Sequence, residues 1–292
     1  MAIPCPTCGS CLEAVPLALA LTGPIAVGKS TIIDALGSCG LATLHSGCLD
    51  VTGVLPALPL DAPAYVIVSD EGADTPEFGA ALSTYLTAKH GGGHPAVAAA
   101  AALTFQMWCI GQQRARYAAG LKQVAALAGR GLPAILLLER CPLDSYLVFG
   151  PANGLSESEL GVLRLSVETS WAPACVYILT ASEDEIVERA RRRGRAAEAP
   201  MLSESGAAYE KAVIARYDPA VWAVVETAVL RYIPTGTGPG GAAAAAATLA
   251  EGLRSWTRYA ADRLAVWSRN GYERPTAAPT AAPTTPTPIP SA

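Results

Sequence analysis

Five near-continuous apolar runs, each five to seven residues long, recur along the chain. They are residues 15–21, 64–69, 134–138, 175–179 and 229–233. Continuous apolar runs, rather than alternating ones, are typical of strands that helices cover on both faces. The pattern therefore predicts an α/β fold, with a five-stranded parallel sheet and helices on both of its faces.

Segments of helical length fill the gaps between these runs. They cover residues 29–38, 74–88, 98–129, 156–170, 183–193, 204–227 and 242–269. The last segment has the clearest period, since Leu249, Leu253 and Trp256 recur at steps of four and three residues. Folds of this kind bind ligands at the carboxyl ends of the strands, so we expect the functional site there.

The two ends of the chain differ from its middle. The last 18 residues carry six prolines and no charge, a composition that cannot build a packed core. We therefore expect a flexible tail over residues 1–14, one domain over residues 15–272 and a disordered tail over residues 273–292.

Composition narrows the class of partner. A net charge of −4 and a pI near 5.5 disfavour nucleic acid as a partner. The sequence has no run of 18 consecutive apolar residues, so we expect no membrane-spanning helix. Eight cysteines in 292 residues are too few for a disulfide scaffold and indicate a reducing compartment. Cys5, Cys8 and Cys11 would need a fourth ligand to hold zinc, so free thiols are the preferred interpretation.

Residues 23–30, GPIAVGKS, satisfy the G-x-x-x-x-G-K-[ST] pattern between an apolar strand and a helix. The residues expected to contact phosphate are Gly23, Pro24, Ile25, Ala26, Val27, Gly28, Lys29, Ser30 and Thr31. Inward backbone N–H groups and the helix N-terminus favour phosphate here. Lys29 is expected to reach the β/γ-phosphates, and the Ser30 hydroxyl to ligate Mg²⁺. The motif predicts ATP and Mg²⁺ as cofactors.

Other sequence features select among the nucleotide-binding classes. A GTPase would read guanine with N-K-x-D, but the two asparagines of the chain, Asn153 and Asn270, are not followed by lysine. A motor or transport ATPase would carry an acidic pair after an apolar strand, where this chain has Glu139 and Arg140. A kinase of small substrates fits these residues better.

Four separated blocks carry a resemblance to a known family. They are GPIAVGKST, VIVSDEG (66–72), LTFQ (103–106), and LLLERC (136–141) together with the arginine-rich RARRRGRAAE (189–198). In this order and spacing the chain resembles the deoxynucleoside kinases, the family of deoxycytidine, deoxyguanosine and mitochondrial thymidine kinases and their viral relatives. The resemblance implies a P-loop kinase fold with an arginine-rich lid, and transfer of phosphate from ATP to a deoxyribonucleoside 5′-hydroxyl in nucleotide salvage for DNA synthesis.

The lid implied by the resemblance lies in the arginine-rich block. Arg189, Arg193 and Arg195 reproduce the family's R-x-x-x-R-G-R spacing, and Glu198 stands where the family has an acid that contacts the sugar. Guanidinium groups grip phosphate oxygens in pairs. A lid that closes over the γ-phosphate would also exclude water.

The reaction needs a carboxylate near the 5′-hydroxyl. Asp70 and Glu71 both end the second apolar strand: gapless alignment with the family's V-P-E-P favours Asp70, whereas residue identity favours Glu71, to which we lean. The family's prolines are missing here. By the same resemblance, Arg140 joins the 5′-oxygen region to the phosphates, and Glu139 holds Mg²⁺ or its waters. Lys29 completes the catalytic set.

Besides Arg140 and Glu198, three residues are expected to bind the nucleoside. The amide of Gln106 offers a donor and an acceptor to a pyrimidine edge, Phe105 would stack on the base or fill the core, and Tyr85 resembles the family's sugar-contacting tyrosine. The arginine–aspartate pair of cytidine-preferring members is replaced by Gln113 and Ser145. Thymidine, deoxycytidine or both are the expected substrates, and Cys141-Pro142 resembles a block of herpesvirus thymidine kinases, which suggests a viral enzyme.

Two other classes stay open. A thymidylate-type nucleoside monophosphate kinase shares the loop, fold and lid, but it needs a cation for the acceptor's phosphate that VIVSDEG does not contain. A binding protein that has lost catalysis is disfavoured by the intact Lys29, Ser30 and Arg140. For the enzyme we expect a homodimer in the cytoplasm, that of a host cell if the enzyme is viral, with a nuclear location left open.

Overall fold

The computed structural model describes residues 17–45, 64–73, 75–91, 94–193, 204–225, 228–236 and 240–269. Within these ranges six parallel strands form one sheet: β1 (Ala18–Thr22), β2 (Ala42–His45), β3 (Tyr65–Ser69), β4 (Ala134–Glu139), β5 (Cys175–Thr180) and β6 (Val229–Pro234). Their spatial order is β2-β3-β4-β1-β5-β6. β1 therefore pairs with β4 on one side and with β5 on the other.

Helices flank the sheet. In the described part of the chain they are α1 (Lys29–Ala35), α2 (Pro76–His90), α3 (Pro95–Gly129), α4 (Gly150–Ala152), α5 (Glu157–Glu168), α6 (Glu183–Arg193), α7 (Glu204–Ala215), α8 (Pro219–Trp222) and α9 (Gly241–Arg269). A 3₁₀ turn, Gly37–Cys39, follows α1, and a π-helical segment, Asp144–Phe149, precedes α4. None of the helices in these ranges is both long and apolar enough to cross a bilayer.

The prediction of five strands is wrong by one, because β2 has no continuous apolar run. Its sequence, ATLH, is half-buried at three positions and exposed at the fourth. β2 lies at the edge of the sheet and pairs with β3, Ala42 opposite Tyr65. An edge strand that is only partly covered does not need the uninterrupted apolar sequence of a central strand.

The helix predicted over residues 204–227 is interrupted. α7 ends at Ala215, and α8 begins afresh at Pro219, with the Asp218 side chain accepting a 2.8 Å hydrogen bond from the Ala220 amide. Proline lacks the N–H that a continuing helix requires and is well suited to a first helical position. The same preference starts α3 at Pro95, three residues before the predicted boundary.

The central strand shows why its apolar run is continuous. Ala18 and Ala20 face the cluster that contains residues of α3, whereas Leu19 and Leu21 face the cluster formed with α1 and α9. Successive side chains of a strand point to opposite faces of the sheet, so burial on both faces requires apolar residues at every position. Since the strands are parallel, their carboxyl ends meet at one edge.

Candidate active site

A cleft of about 990 Å³ opens at the carboxyl ends of the strands. Its lining comes from residues 25–34, from residues 70–73 after β3, from Glu139 and Arg140 at the end of β4, and from the helices α2, α3 and α6. Segments far apart in the sequence therefore converge on one cavity. Most of the residues predicted to carry function lie in or directly behind its walls.

The loop between β1 and α1 has a backbone that depends on glycine. Gly28 adopts φ of 103° as the N-cap of α1, and Ala26, which is not a glycine, is also left-handed at 61°. Gly23 has φ of 149°, and a Cβ there would lie 2.7 Å from the Leu179 carbonyl oxygen. Only glycine allows β5 to approach this closely. Ser30 and Thr31 are exposed at the start of α1 and line the cleft.

Lys29 is buried beneath this loop and donates a 3.3 Å hydrogen bond to the Pro24 carbonyl oxygen. Burial, aided by the charge of Arg140, lowers the pKa of Lys29 to about 8, against the opposing pull of Glu139 and Glu71. A buried ammonium with so few partners is stabilised by added negative charge. An anion in the cleft beside Ile25 and Gly28 would supply that charge.

The two candidate acids after β3 point in different directions. The Glu71 carboxylate accepts a 2.7 Å hydrogen bond from Arg140 Nε inside the cleft. Asp70 is exposed, and its Oδ1 accepts a 3.0 Å hydrogen bond from the Gly72 amide, two residues along the same turn. Both residues line the cleft, but Glu71 is the one that meets the predicted catalytic arginine.

Arg140 is held on several sides. It adopts left-handed φ of 67°, and its Nη1 donates to the Gly23 carbonyl oxygen at 3.1 Å and to the Tyr217 hydroxyl at 3.0 Å. Asp144, fully buried, lies 3.7 Å from the same guanidinium. Burial alone would lower the pKa of Arg140, but the surrounding acidic groups, Glu71 foremost, raise it well above its ordinary value.

Glu71 and Glu139 are neighbours with opposite pKa shifts. The Glu71 amide donates to Glu139 Oε2 at 3.3 Å. Burial would raise the pKa of Glu71, but the charges of Arg140 and Lys29 outweigh it and lower the value. Burial raises the pKa of Glu139, and the charge of Glu71 adds to that effect. A pair of carboxyl groups whose pKa values diverge is suited to divided roles.

The end of the cleft lined by α2 and α3 is aromatic. Tyr85 stacks on Phe105, with ring centroids 5.0 Å apart and planes within 3°, although twelve residues, 91–102, separate the end of α2 from the LTFQ block. The Tyr85 hydroxyl donates to Asn153 Oδ1 at 2.5 Å. Gln106 is only 2% exposed and lines the cleft beside Phe105. The structure thus brings the three predicted nucleoside-binding residues together.

The arginine-rich block is described in part. Arg189 donates to the Val27 carbonyl oxygen at 2.9 Å, and to Thr235 Oγ1 at 3.0 Å. Arg193 lines the cleft. Arg189 thus ties α6 to the loop predicted to bind phosphate. Arg195 and Glu198 lie outside the described residues, as do both predicted tails and the Cys5–Cys11 segment.

No protein-family model matches the chain, and no curated protein does either. Solved structures, in contrast, do match the chain. Deoxyadenosine kinase from M. mycoides with its products dCMP and dCDP has a TM-score of 0.52 at 14% identity, and the match covers 82% of this chain and 100% of that one. The same kinase with bound dCTP gives 0.51 at 13% identity, with equal coverage. This chain shares their fold.

The two predicted metal ligands, Ser30 and Glu139, would both coordinate through oxygen atoms. The Ser30 hydroxyl and the Glu139 carboxylate both line the cleft, and no cluster of three or more His, Cys, Asp or Glu side chains occurs in the described ranges. A hydroxyl and one carboxylate fit Mg²⁺, which keeps several waters and takes its other ligands from substrate phosphates. The donor set therefore fits Mg²⁺ bound together with a nucleotide.

Several cleft residues were not selected as binding residues from the sequence. Gln113 is 4% exposed, lines the cleft, and its Oε1 has no hydrogen-bond partner among the residues described. Ser145, rather than Asp144, faces the cleft. Burial raises the pKa of the Cys109 thiol to about 12, so it is an unreactive wall group. The seven-residue step from Gln106 to Gln113, two helical turns, was the available signal.

Proposed function

We propose that the protein transfers a phosphoryl group from ATP to the 5′-hydroxyl of a deoxyribonucleoside. One observation carries the proposal: the Glu71 carboxylate, held 2.7 Å from Arg140, shares a cleft with Lys29 and residues 25–30. A phosphate-type loop, an anchored arginine and an ionised carboxylate are the parts that phosphoryl transfer to a hydroxyl requires. The fold shared with the deoxyadenosine kinases supports the same reaction class.

At the phosphate end, the chain supplies positive charge and backbone N–H groups. Lys29 would donate to the β/γ-phosphate oxygens, exchanging its weak bond to the Pro24 carbonyl for a charged partner. Arg189 and Arg193 lie on the α6 side, with Arg193 lining the cleft. Preorganised donors of this kind stabilise charge that grows during transfer. Ser30 and Glu139 would hold Mg²⁺, which neutralises phosphate charge when bound.

At the acceptor end, Glu71 would accept the proton of the 5′-hydroxyl. The 5′-oxygen forms a bond to the γ-phosphorus while the bond from that phosphorus to the ADP oxygen breaks, so the proton passes to the carboxylate and ADP leaves. Arg140 keeps Glu71 ionised and directed through their 2.7 Å contact. The same guanidinium, bonded to the Gly23 carbonyl, links the acid to the phosphate loop.

The base would lie between the aromatic wall and two amides. Phe105 and Tyr85 provide a stacked apolar surface, and Gln106 can donate and accept at a Watson–Crick edge. The unpartnered Oε1 of Gln113 needs an N–H donor. Thymine offers N3–H and cytosine its amino group, so thymidine and deoxycytidine are our proposed substrates. The homodimer, the cytoplasmic location and the viral origin stay predictions.

The decisive experiment offers the purified chain four acceptors with radiolabelled ATP and Mg²⁺: thymidine, deoxycytidine, deoxyadenosine and thymidylate. We expect 5′-monophosphates from a nucleoside, and none from a Lys29→Ala control. Faster phosphorylation of thymidylate than of any nucleoside would replace our proposal with the monophosphate kinase. Binding of ATP without any product would favour a protein that has lost catalysis.

A further inference from the structure

Arg116 reaches the candidate catalytic acid from outside the sequence motifs. It lies on α3, ten residues after Gln106, and its Nη1 donates a hydrogen bond to the main-chain carbonyl oxygen of Glu71. The two residues are 45 positions apart. The guanidinium is partly buried and also faces the charges of Asp70 and Glu139. Nothing in the reaction proposed above uses it.

The loop that Arg116 holds is constrained at several points, but among the residues that the structure describes only Arg116 is seen to bond the Glu71 carbonyl oxygen. Residues 69–73, SDEGA, contain no proline. Gly72 has left-handed φ of 66° and its carbonyl oxygen accepts a 2.9 Å bond from Thr75 Oγ1. The bond to Thr75 fixes the end of the turn. The Asp70 carboxylate fixes its start by accepting a hydrogen bond from the Gly72 amide. At Glu71 itself, the amide donates to Glu139 Oε2 at 3.3 Å and the carboxylate accepts from Arg140, while Arg116 fixes the main-chain carbonyl oxygen.

We propose that Arg116 is a positioning residue: it holds the main-chain carbonyl of Glu71 and so fixes the peptide from which the carboxylate reaches Arg140. A peptide plane that loses this bond can rotate about the neighbouring φ and ψ angles and carry the side chain with it. A displacement of about 1 Å at a reacting group costs up to about 100-fold in rate. The assignment of a rate effect rests on the function proposed above, whereas the effect on the loop does not.

The side chain must be arginine for a geometric reason. Its guanidinium presents several N–H donors in a fixed plane, whereas a lysine ammonium is a shorter, freely rotating donor. A Cβ at Gly72 would lie 3.0 Å from Arg116 Nη1, so the loop packs directly against the guanidinium. Arg116→Lys should therefore keep the charge and restore part of the bond, while Arg116→Ala removes both.

The chain offers a matched control two residues away. Arg114 lies on the same helix and donates to Ser170 Oγ at 2.6 Å and to Thr169 Oγ1 at 2.8 Å. These contacts join α3 to the end of α5 and do not involve the site. Arg114→Ala therefore removes an arginine with comparable bonding, and any effect common to both variants is structural rather than specific to Glu71.

The test combines kinetics with hydrogen exchange. For Arg116→Ala we expect kcat for the accepted nucleoside to fall about 10- to 100-fold, with little change in the KM for ATP. The kcat of Arg116→Lys should lie between those of Arg116→Ala and the unmodified protein. Arg114→Ala should keep the kcat of the unmodified protein. Amide exchange in a peptide covering residues 70–75 should quicken in Arg116→Ala, and stay unchanged in Arg114→Ala.

The two readouts separate the failure of this inference from the failure of the proposed function. If the unmodified chain phosphorylates no nucleoside yet exchange quickens as expected, the proposed function fails and the positioning of the loop stands. If exchange over residues 70–75 is the same with and without the Arg116 guanidinium, the inference is overturned. An equal loss of kcat in Arg114→Ala would overturn it as well.

Discussion

Glu71 Oε1 and Arg140 Nε lie 2.7 Å apart, across the carboxyl ends of the neighbouring strands β3 and β4. The pair joins an acid from one strand to an arginine that also contacts the phosphate-type loop after β1 through the Gly23 carbonyl oxygen. Three strands thus meet through one guanidinium. Removal of either partner leaves a buried charge without its closest counter-charge.

Lys29→Ala should reduce kcat about 10²- to 10³-fold, because a preorganised donor to the phosphates is lost. Removing a buried ammonium whose pKa is lowered to about 8 should leave the fold intact. Steady-state kinetics and circular dichroism check the two parts. Retention of more than about a tenth of kcat would contradict the role assigned to this lysine.

Glu71→Gln and Asp70→Asn should behave differently. The first removes the proton acceptor and should lower kcat about 10²- to 10⁴-fold with little change in nucleoside binding. The second should be nearly silent, because an amide oxygen can still accept from the Gly72 amide, as the Asp70 carboxylate does at 3.0 Å. Steady-state kinetics and nucleoside-binding titrations of both variants show which of the two acids accepts the proton. If both are silent, the acid lies elsewhere.

Gln106→Ala should weaken nucleoside binding about 5- to 150-fold, since a buried base edge left unpaired costs about 1–3 kcal/mol. The KM for ATP should stay the same. Gln112→Ala, an exposed glutamine on the same helix, is the matched control and should change neither constant. Equal effects of both substitutions would mean that Gln106 supports the helix rather than the base.

Gln113→Leu should have opposite effects on stability and binding. Its Oε1 is buried and without a partner among the described residues, so replacing the amide with an apolar group should raise the free energy of unfolding by about 1 kcal/mol. The KM for the nucleoside should rise at the same time. Denaturant unfolding and kinetics measure the two effects. A destabilised variant would show that this oxygen is already satisfied.

Lys89→Met should stabilise the protein more at pH 7 than at pH 10. Burial lowers the pKa of Lys89 to about 8, so between about pH 8 and pH 10.5 the unfolded state binds the proton more tightly. Stability therefore rises with pH in this window for the unmodified chain and not for the variant. Urea unfolding at the two pH values measures the difference, and the same substitution at exposed Lys122 controls for the loss of a lysine.

A benefit that grew toward pH 10 would contradict that sign. So would an equal benefit at both pH values. The Lys89 ammonium also lies 3.5 Å from the centre of the Tyr209 ring, an attraction that the variant loses at pH 7. The comparison between the two pH values therefore reports the net cost of the charge, which is the cost of burial less this attraction and the hydrogen bond from Lys89 to Asn153.

Local patterns in the sequence predicted the elements whose signals are local. The glycines of the β1–α1 loop are required by its backbone. The four inner strands β1, β3, β4 and β5 are apolar because both of their faces are covered, whereas the edge strand β6 was predicted from a mostly apolar sequence although it is largely exposed. β2 escaped prediction because edge strands lack that constraint. The break before Pro219 was missed although its signal is local, since Asp-Pro is a typical helix start.

Contacts between distant segments could not be predicted. Arg116 meets the Glu71 loop across 45 residues, and the Asp144 carboxylate turns inward to the Tyr217 hydroxyl at 2.7 Å while Ser145 faces the cleft. Which of two adjacent side chains faces a cavity depends on the π-helical turn that begins at Asp144. No periodicity in the sequence encodes that turn.

The central place of β1 has a consequence for synthesis on the ribosome. Leu19 pairs with Leu137 on one side and with Cys175 on the other, so neither neighbour of the strand is made until well over a hundred residues later. Such non-local pairing slows folding. A nascent chain that has not yet exposed Thr180, the last residue of β5, carries the β1–α1 loop on a strand flanked on one side at most. The ATP binding that we propose for this loop should therefore emerge only after β5 has been made.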